Sequence, residues 1–418
     1  MKLNRWFTAF FSLTVFFTQA QIQEEIAPPE NIKSVIFTGS SNYAQFPIVK
    51  IGEQITLTFD DLYADEANYY YRIEHCNYDW TPSKIMKTQY LNGLDNQRII
   101  TYRNSLATLQ PYTHYTLEIP NRSTRLKITG NHILKIFDSQ DNLVFSRRFI
   151  VYSDAVAAGI ALKRTRDFNY INTHQRLEIT INSGDFQLIN PQNEVKLCLL
   201  QNSNFKTAIY NIAPQFISGE QLLYKYDMAT AFPGGNEYYF FDTKEVRVAQ
   251  NSIAKVELKN RYNHYLYTNE IRQYKDYTYF SDINGDYSIQ TFDTFESDGS
   301  NEADYTFVRF SLAYEPTLDL NEVYVYGKFN NYELQEENKL TYNPDTGTLN
   351  TAILLKQGVY NYKFVTRDRN GIVNTGRISG DHWETENEYL VVVYYRKFGD
   401  LYDSVIGLGS ASSLNISN

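Results

Sequence analysis

The sequence predicts an all-β chain built from tandem β-sandwich domains. Three observations carry that expectation. Aromatic residues are 16% of the 418-residue chain, with 36 Tyr and 26 Phe against 3 Met. Such residues favour pleated, half-buried sheet. Short runs alternate apolar and polar residues with period two, as where Tyr69, Tyr71 and Ile73 interleave with Tyr70, Arg72 and Glu74. No heptad and no long amphipathic helix is present. The length exceeds what one core supports, so two to four domains are expected.

Residues 1–20 read as a signal peptide. Lys2 and Arg5 give a basic start, Trp6 to Phe17 a mostly apolar stretch, and Thr18-Gln19-Ala20 a small-residue cleavage site. That stretch is too short to span a bilayer, and no later run reaches about twenty apolar residues. No Cys follows Ala20 to take a lipid anchor. Export with cleavage after Ala20, and no direct membrane insertion, are the expectations. Residues 21–31 then form a polar, proline-bearing lead.

Strand patterns follow at Ser34–Thr38, Ile55–Phe59, Tyr69–Glu74, Thr113–Ile119, His132–Asp138 and Phe145–Val151. Asn92-Gly93 and Gly130-Asn131 read as turns between them. This spacing suits an immunoglobulin-like sandwich over 21–154. A second sandwich is expected over 155–303. It starts with the clean alternation of Leu177, Ile179 and Ile181 and continues through Glu194–Leu200, Leu222–Met228, Tyr238–Phe241 and Val246–Val248. It ends in a Tyr-rich extension (Tyr262, Tyr265, Tyr267, Tyr274, Tyr277, Tyr279) and an acidic boundary, ESDGSNEAD.

The third region, 304–418, holds VYVYGKFNNY (323–332) and LLKQGVYNYKFV (354–365). Gly327, Phe329 and Asn330, then Gly358, Tyr360, Tyr362 and Phe364, resemble the early-set, glycogen-binding type of immunoglobulin-like domain. The resemblance implies a sandwich closing with Tyr389–Tyr395. Tyr332 stands where those sugar-binding modules carry a tryptophan.

Charge and cysteine content narrow the function classes. The formal net charge is −9, and loss of Lys2 and Arg5 with a leader takes it to −11. Nucleic acid is disfavoured as a partner, because binding to it needs clustered basic residues. Cys76 and Cys198 are the only cysteines and make no disulfide framework. Pairing between them and burial as free thiols are the two alternatives, the second being simpler.

Chemistry-bearing constellations are sparse. His75 and Cys76 are adjacent, so they point to opposite faces of a strand, and no CxxC or HxxxH completes a zinc set. Asp282 to Asp286 mimics the start of a calcium loop, but Asn284-Gly285 reads more simply as a turn. No nucleophile, P-loop or dinucleotide motif is present. With 48 acidic residues, carboxylates such as Glu237 or Glu384 do not single out a hydrolase pair. No catalytic residue, metal or cofactor is expected. Trp80, Trp383, Tyr332 and the 262–279 tyrosines could stack on sugars. Trp80 reads as core, and the tyrosines divide evenly between partner contact and internal packing.

One ordered set of residues goes further. His75, Cys76, Asp79 and Trp80 (HCNYDW, 75–80), Pro82-Ser83, Tyr90 to Gly93, Tyr112, His114-Tyr115, Pro120-Asn121, Gly130-Asn131-His132 and Arg148-Phe149 resemble the type IX secretion plug family. So do His174-Gln175, Gln201-Asn202 and Asn236-Glu237 in the second region. Tyr238-Tyr239 departs from the family, which often places an arginine there. The resemblance implies a non-catalytic periplasmic subunit, at the periplasmic face of the outer membrane, that blocks an SprA-type outer-membrane translocon barrel. A wide barrel has an aqueous lumen, which needs a seal between substrates. A glycan-binding protein using aromatic faces of the C-terminal sandwich is the alternative from another class.

Overall fold

The computed structural model describes residues 22–39, 47–292 and 299–416. The expected leader and part of the acidic boundary segment lie outside these. Strands dominate the regular structure of the described residues, and their helices are no longer than four residues. None of those helices is long and apolar enough to cross a membrane.

Among the described residues, three sandwiches account for every sheet but one two-stranded pair. In the first, one sheet runs Ile32–Gly39, Ile55–Asp61, Thr113–Ile119, Thr101–Asn104. The other runs Ile48–Lys50, Leu143–Tyr152, Gly130–Phe137, Tyr70–Cys76, Gln97–Arg98. The alternation at 69–74 holds: Tyr69, Tyr71 and Ile73 are buried with Phe59, Tyr115 and Phe145 between the sheets. Phe59 and Tyr115 stack 5.0 Å apart, and Tyr69 meets both edge-on.

Two turn expectations fail. Asn92-Gly93 lies in a short strand, Leu91–Gly93, paired with Thr124–Leu126. Gly93 keeps its positive φ, but a Cβ there would meet the Ser123 carbonyl at 2.1 Å, so the glycine serves close strand approach. Gly130-Asn131 opens a strand, because both residues pair with Leu143–Tyr152.

The second sandwich sets Ala157–Arg164, His174–Asn182, Gln221–Tyr224 and Phe216–Ser218 against Ile209–Tyr210, Val195–Gln201, Glu388–Tyr395 and Ser404–Ser412. Strand pairing thus crosses the expected division at 303/304. Tyr389–Tyr395 does not close the third sandwich, because Glu388–Tyr395 pairs with Val195–Gln201. The physical reason is double-sided burial. Tyr389, Val391, Val393 and Tyr395 face the second core, while Leu390, Val392 and Tyr394 face a separate cluster against the first sandwich. A strand buried on both faces reads as a continuous apolar run, which carries no mark of its neighbours.

The third sandwich is built within this excursion. Gly358–Arg367 is its central strand, flanked by Tyr239–Asp242, Tyr287–Ile289 and Glu322–Tyr326. Ile253–Leu258, Tyr262–Leu266, Tyr305–Ala313, Thr348–Lys356 and Thr341–Asn343 form the facing sheet. Tyr360, Tyr362 and Phe364 are buried along one face, as the early-set resemblance implies. Asn284 and Gly285 both have positive φ, so this segment is the turn the dipeptide suggests.

Candidate functional site

The HCNYDW segment sits where the first sandwich meets the second. Cys76, Tyr78 and Trp80 pack with Ile48, Ile133 and Ile150 of their own domain and with Cys198, Val392 and Tyr394 of the second. Cys76 ends the strand Tyr70–Cys76, and Trp80 turns back with a positive φ. The Arg148 guanidinium covers the Trp80 ring at 4.6 Å and Phe205 meets its edge. Asp79 is exposed and accepts from the Thr81 N–H and hydroxyl, fixing the turn. Pro82 bridges back to Cys76.

Asn131 joins the two domains. Its amide donates to the carbonyls of Asn77 and Tyr78, and its Oδ1 accepts from the Tyr394 hydroxyl at 2.8 Å. Asp403 adds a second tie, accepting from the Tyr78 N–H at 3.0 Å and from Arg396 at 2.8 Å. His75 packs on Tyr90, His132 and Tyr402. Burial pushes its imidazole down to about 4 and that of His132 well below the usual value. Both rings are therefore neutral near pH 7. Tyr90 donates to the Ile73 carbonyl and Tyr115 to that of Ala67. Gly130 must lack a side chain, because a Cβ would fall 2.4 Å from His75 Nε2 at a φ of +139°.

Cys76 and Cys198, expected in separate domains, share this cluster as free, buried thiols, each pushed up to about 12 by burial. Among the described residues, no group of three or more His, Cys, Asp or Glu is placed to hold a metal.

The motif that marks the sequence is thus the seam of the molecule. Residues 32–153, the sandwich that carries it, match the model of the type 9 secretion system plug protein first domain. That sandwich belongs to the type 9 secretion system plug protein family. A crystal structure of a hypothetical protein from Parabacteroides merdae is similar along nearly its whole length. It shares 30% identity over 93% of this chain and 98% of its own, with a TM-score of 0.88. The glucan-utilization protein SGBP-B of Bacteroides ovatus, solved with a mixed-linkage heptasaccharide, aligns at 12% identity over 76% of this chain and 71% of its own. Its TM-score is 0.13, which carries no statement about fold or ligand. No curated protein matches the sequence.

Asn236 and Glu237 of the plug-family pattern lie at a second seam. Asn236 donates to the Ser379 carbonyl at 2.7 Å and accepts from the Glu237 N–H. Glu237 is buried and accepts from the Tyr277 hydroxyl and the Glu386 N–H. Its Oε2 has no partner among the described residues. Burial, with Asp282 and Glu386 nearby, pushes its carboxyl up to about 7 against the lowering effect of the Tyr277 hydroxyl. Where the family often has an arginine, Tyr238 and Tyr239 stand. An arginine from elsewhere, Arg272, lies 4.0 Å over the Tyr239 ring and donates to the Glu237 carbonyl.

Of the aromatic faces weighed for sugar stacking, Trp80 and Tyr332 are buried, and Trp383 is covered by the Arg164 guanidinium at 4.7 Å. The 262–279 tyrosines divide. Tyr267, Tyr274 and Tyr279 are exposed, while Tyr262, Tyr265 and Tyr277 are half-buried. Sequence reasoning missed Asp60, Lys356, Arg396 and Asp403, the charged ties between sandwiches. The available signal was a charge at the end of a buried strand run, as in Ile55–Asp61 and Thr348–Lys356.

Proposed function

We propose that this chain is a non-catalytic periplasmic subunit that seals the wide outer-membrane translocon barrel of type 9 secretion. The observation that carries the reading is the match of residues 32–153 to the plug first domain. The construction supports it. A seal must resist deformation, and each sandwich here is braced by the other two. The first and second share the apolar seam around Cys76 and Tyr394. The first and third share the buried Asp60–Lys356 pair. The second and third are joined by Asn204 donating to the Tyr326 hydroxyl and by Lys206 with Glu333. Tyr267, Tyr274 and Tyr279 offer exposed aromatic area of the kind found in protein interfaces.

The test is an affinity purification of the tagged native protein from mildly solubilised outer membranes. A very large β-barrel should co-purify at near-equal amount, and deletion should make the outer membrane leak periplasmic protein. Recovery of the chain alone after crosslinking, with an intact permeability barrier in the deletion strain, would end this reading.

A further inference from the structure

The first and third sandwiches enclose a cleft of about 690 Å³, within the range of specific ligand sites. Its walls are the Ala27-Pro28-Pro29 lead, the strand Ile32–Gly39, the loop Lys328–Asn330 and the strand Thr348–Lys356. Most of its carboxylates are already engaged. Glu25 accepts from the Arg148 N–H and from Asn331, Glu337 from Lys33, and Glu333 from Lys206.

Arg147 is different. It lies on the strand Leu143–Tyr152 between Phe145 and Phe149, on the face that supplies the first core. An arginine there is an exception to the pattern of its own strand. It is 9% exposed and lines the cleft. Its guanidinium donates to the Ser146 carbonyl, and no carboxylate of the described residues lies within ion-pair distance. A buried cation of this kind is costly unless an anion meets it. Four of its five N–H donors remain for that anion, in the planar fork that suits a carboxylate.

We propose that the cleft binds a short peptide segment through a carboxylate that pairs with Arg147. A peptide fits the surroundings better than a compact ion. Ile32–Gly39 is the edge strand of its sheet, with a register break between Lys33 and Ile36, and an edge presents backbone groups to an extended chain. Tyr287 and Phe329 supply apolar wall beside the cation. The inference is independent of the sealing role.

The test is fluorescence anisotropy on the intact protein with a labelled hexapeptide ending in two aspartates. The control probe is the same peptide with asparagines and an amidated end. The acidic probe should bind and the control should bind roughly tenfold more weakly or worse, as loss of a charge-assisted bond requires. Arg147→Gln should abolish that difference, and Arg147→Lys should retain part of it. The two-probe comparison on the native chain stands even if a variant misfolds. Equal binding of both probes, or no binding of either, would overturn the proposal. Competition by citrate as effective as by the acidic peptide would overturn the peptide assignment.

Discussion

Lys356 Nζ lies 2.5 Å from Asp60 Oδ2, with both side chains shut off from solvent at the contact of the third and first sandwiches. The Tyr305 hydroxyl donates to the same oxygen at 2.7 Å, and His114 Nδ1 lies 2.6 Å from Oδ1. Burial alone would raise the Asp60 carboxyl, but Lys356 and His114 outweigh it and hold the group below its usual range. Lys356→Met should therefore leave the buried Asp60 carboxylate without its cation, held by His114 and the Tyr305 hydroxyl, and cost about 3–5 kcal/mol. Adding Asp60→Asn should recover most of that loss. The sign for pH follows from the lowered value. The pair's stabilisation is present above the ordinary carboxylate range and is lost as pH falls through the folded-state value. Denaturant unfolding of the single and double variants at neutral and acid pH checks this. A single-variant loss below about 1 kcal/mol would show that the pair braces nothing.

Asn131 should behave as the polar bolt of the other seam. Asn131→Ala strands the Tyr394 hydroxyl and the Tyr78 carbonyl in a buried setting, while the Asn77 carbonyl keeps the Trp80 N–H, at a cost of about 1–3 kcal/mol. Tyr394→Phe removes only one of those bonds and should cost less. Because both changes touch one bond, the double variant should fall short of their sum. Additive losses would place the two side chains in separate roles.

Sequence patterning reached the local level and stopped at partner choice. The alternation of Tyr69, Tyr71 and Ile73 and that of Leu177, Ile179 and Ile181 located inward faces, because period two is fixed by the backbone itself. The run Tyr389–Tyr395 revealed its strand but not its sheet, since both of its faces are buried. Asn92-Gly93 misled because a glycine that permits close strand approach has the same letter as one that permits a turn. Cys76 and Cys198 looked distant because the seam that unites them is made by strands far apart in the chain. The motif around Trp80 could be seen as a marker, yet its partners Asn131, Tyr394 and Asp403 are set by tertiary packing alone.

The thiols give a direct probe of that seam. Cys76 and Cys198 are fully buried, and burial pushes both up to about 12. Thiolate is the reactive form, so neither should react with a thiol-specific reagent in the native protein. Both should react after denaturation. Because the two lie on opposite sides of the seam, parting of the first and second sandwiches should expose them together, at a denaturant concentration at or below that of global unfolding. Rapid labelling of either one in native buffer would contradict the packing.

Glu237 sets the expected pH response of the second seam. Its carboxyl is raised to about 7 by burial, whereas the unfolded chain titrates near the ordinary glutamate value of about 4.3. Between those two values the folded state holds the extra proton. Stability from this group is therefore intact below about pH 4 and is lost as pH rises towards 7. The interval corresponds to a change on the order of 3 kcal/mol. Asp282 and Asp381 are also raised by burial, so the whole profile cannot be assigned to one residue. Glu237→Gln isolates it. The amide keeps the size and a hydrogen-bonding contact for Tyr277 but holds no titrating proton. Relative to the parent, this variant should gain stability as pH goes from 5 to 8, by chemical denaturation at each pH. Parallel profiles would mean that Glu237 titrates as an ordinary surface carboxylate and that the buried geometry around Tyr277 and Arg272 does not govern its charge.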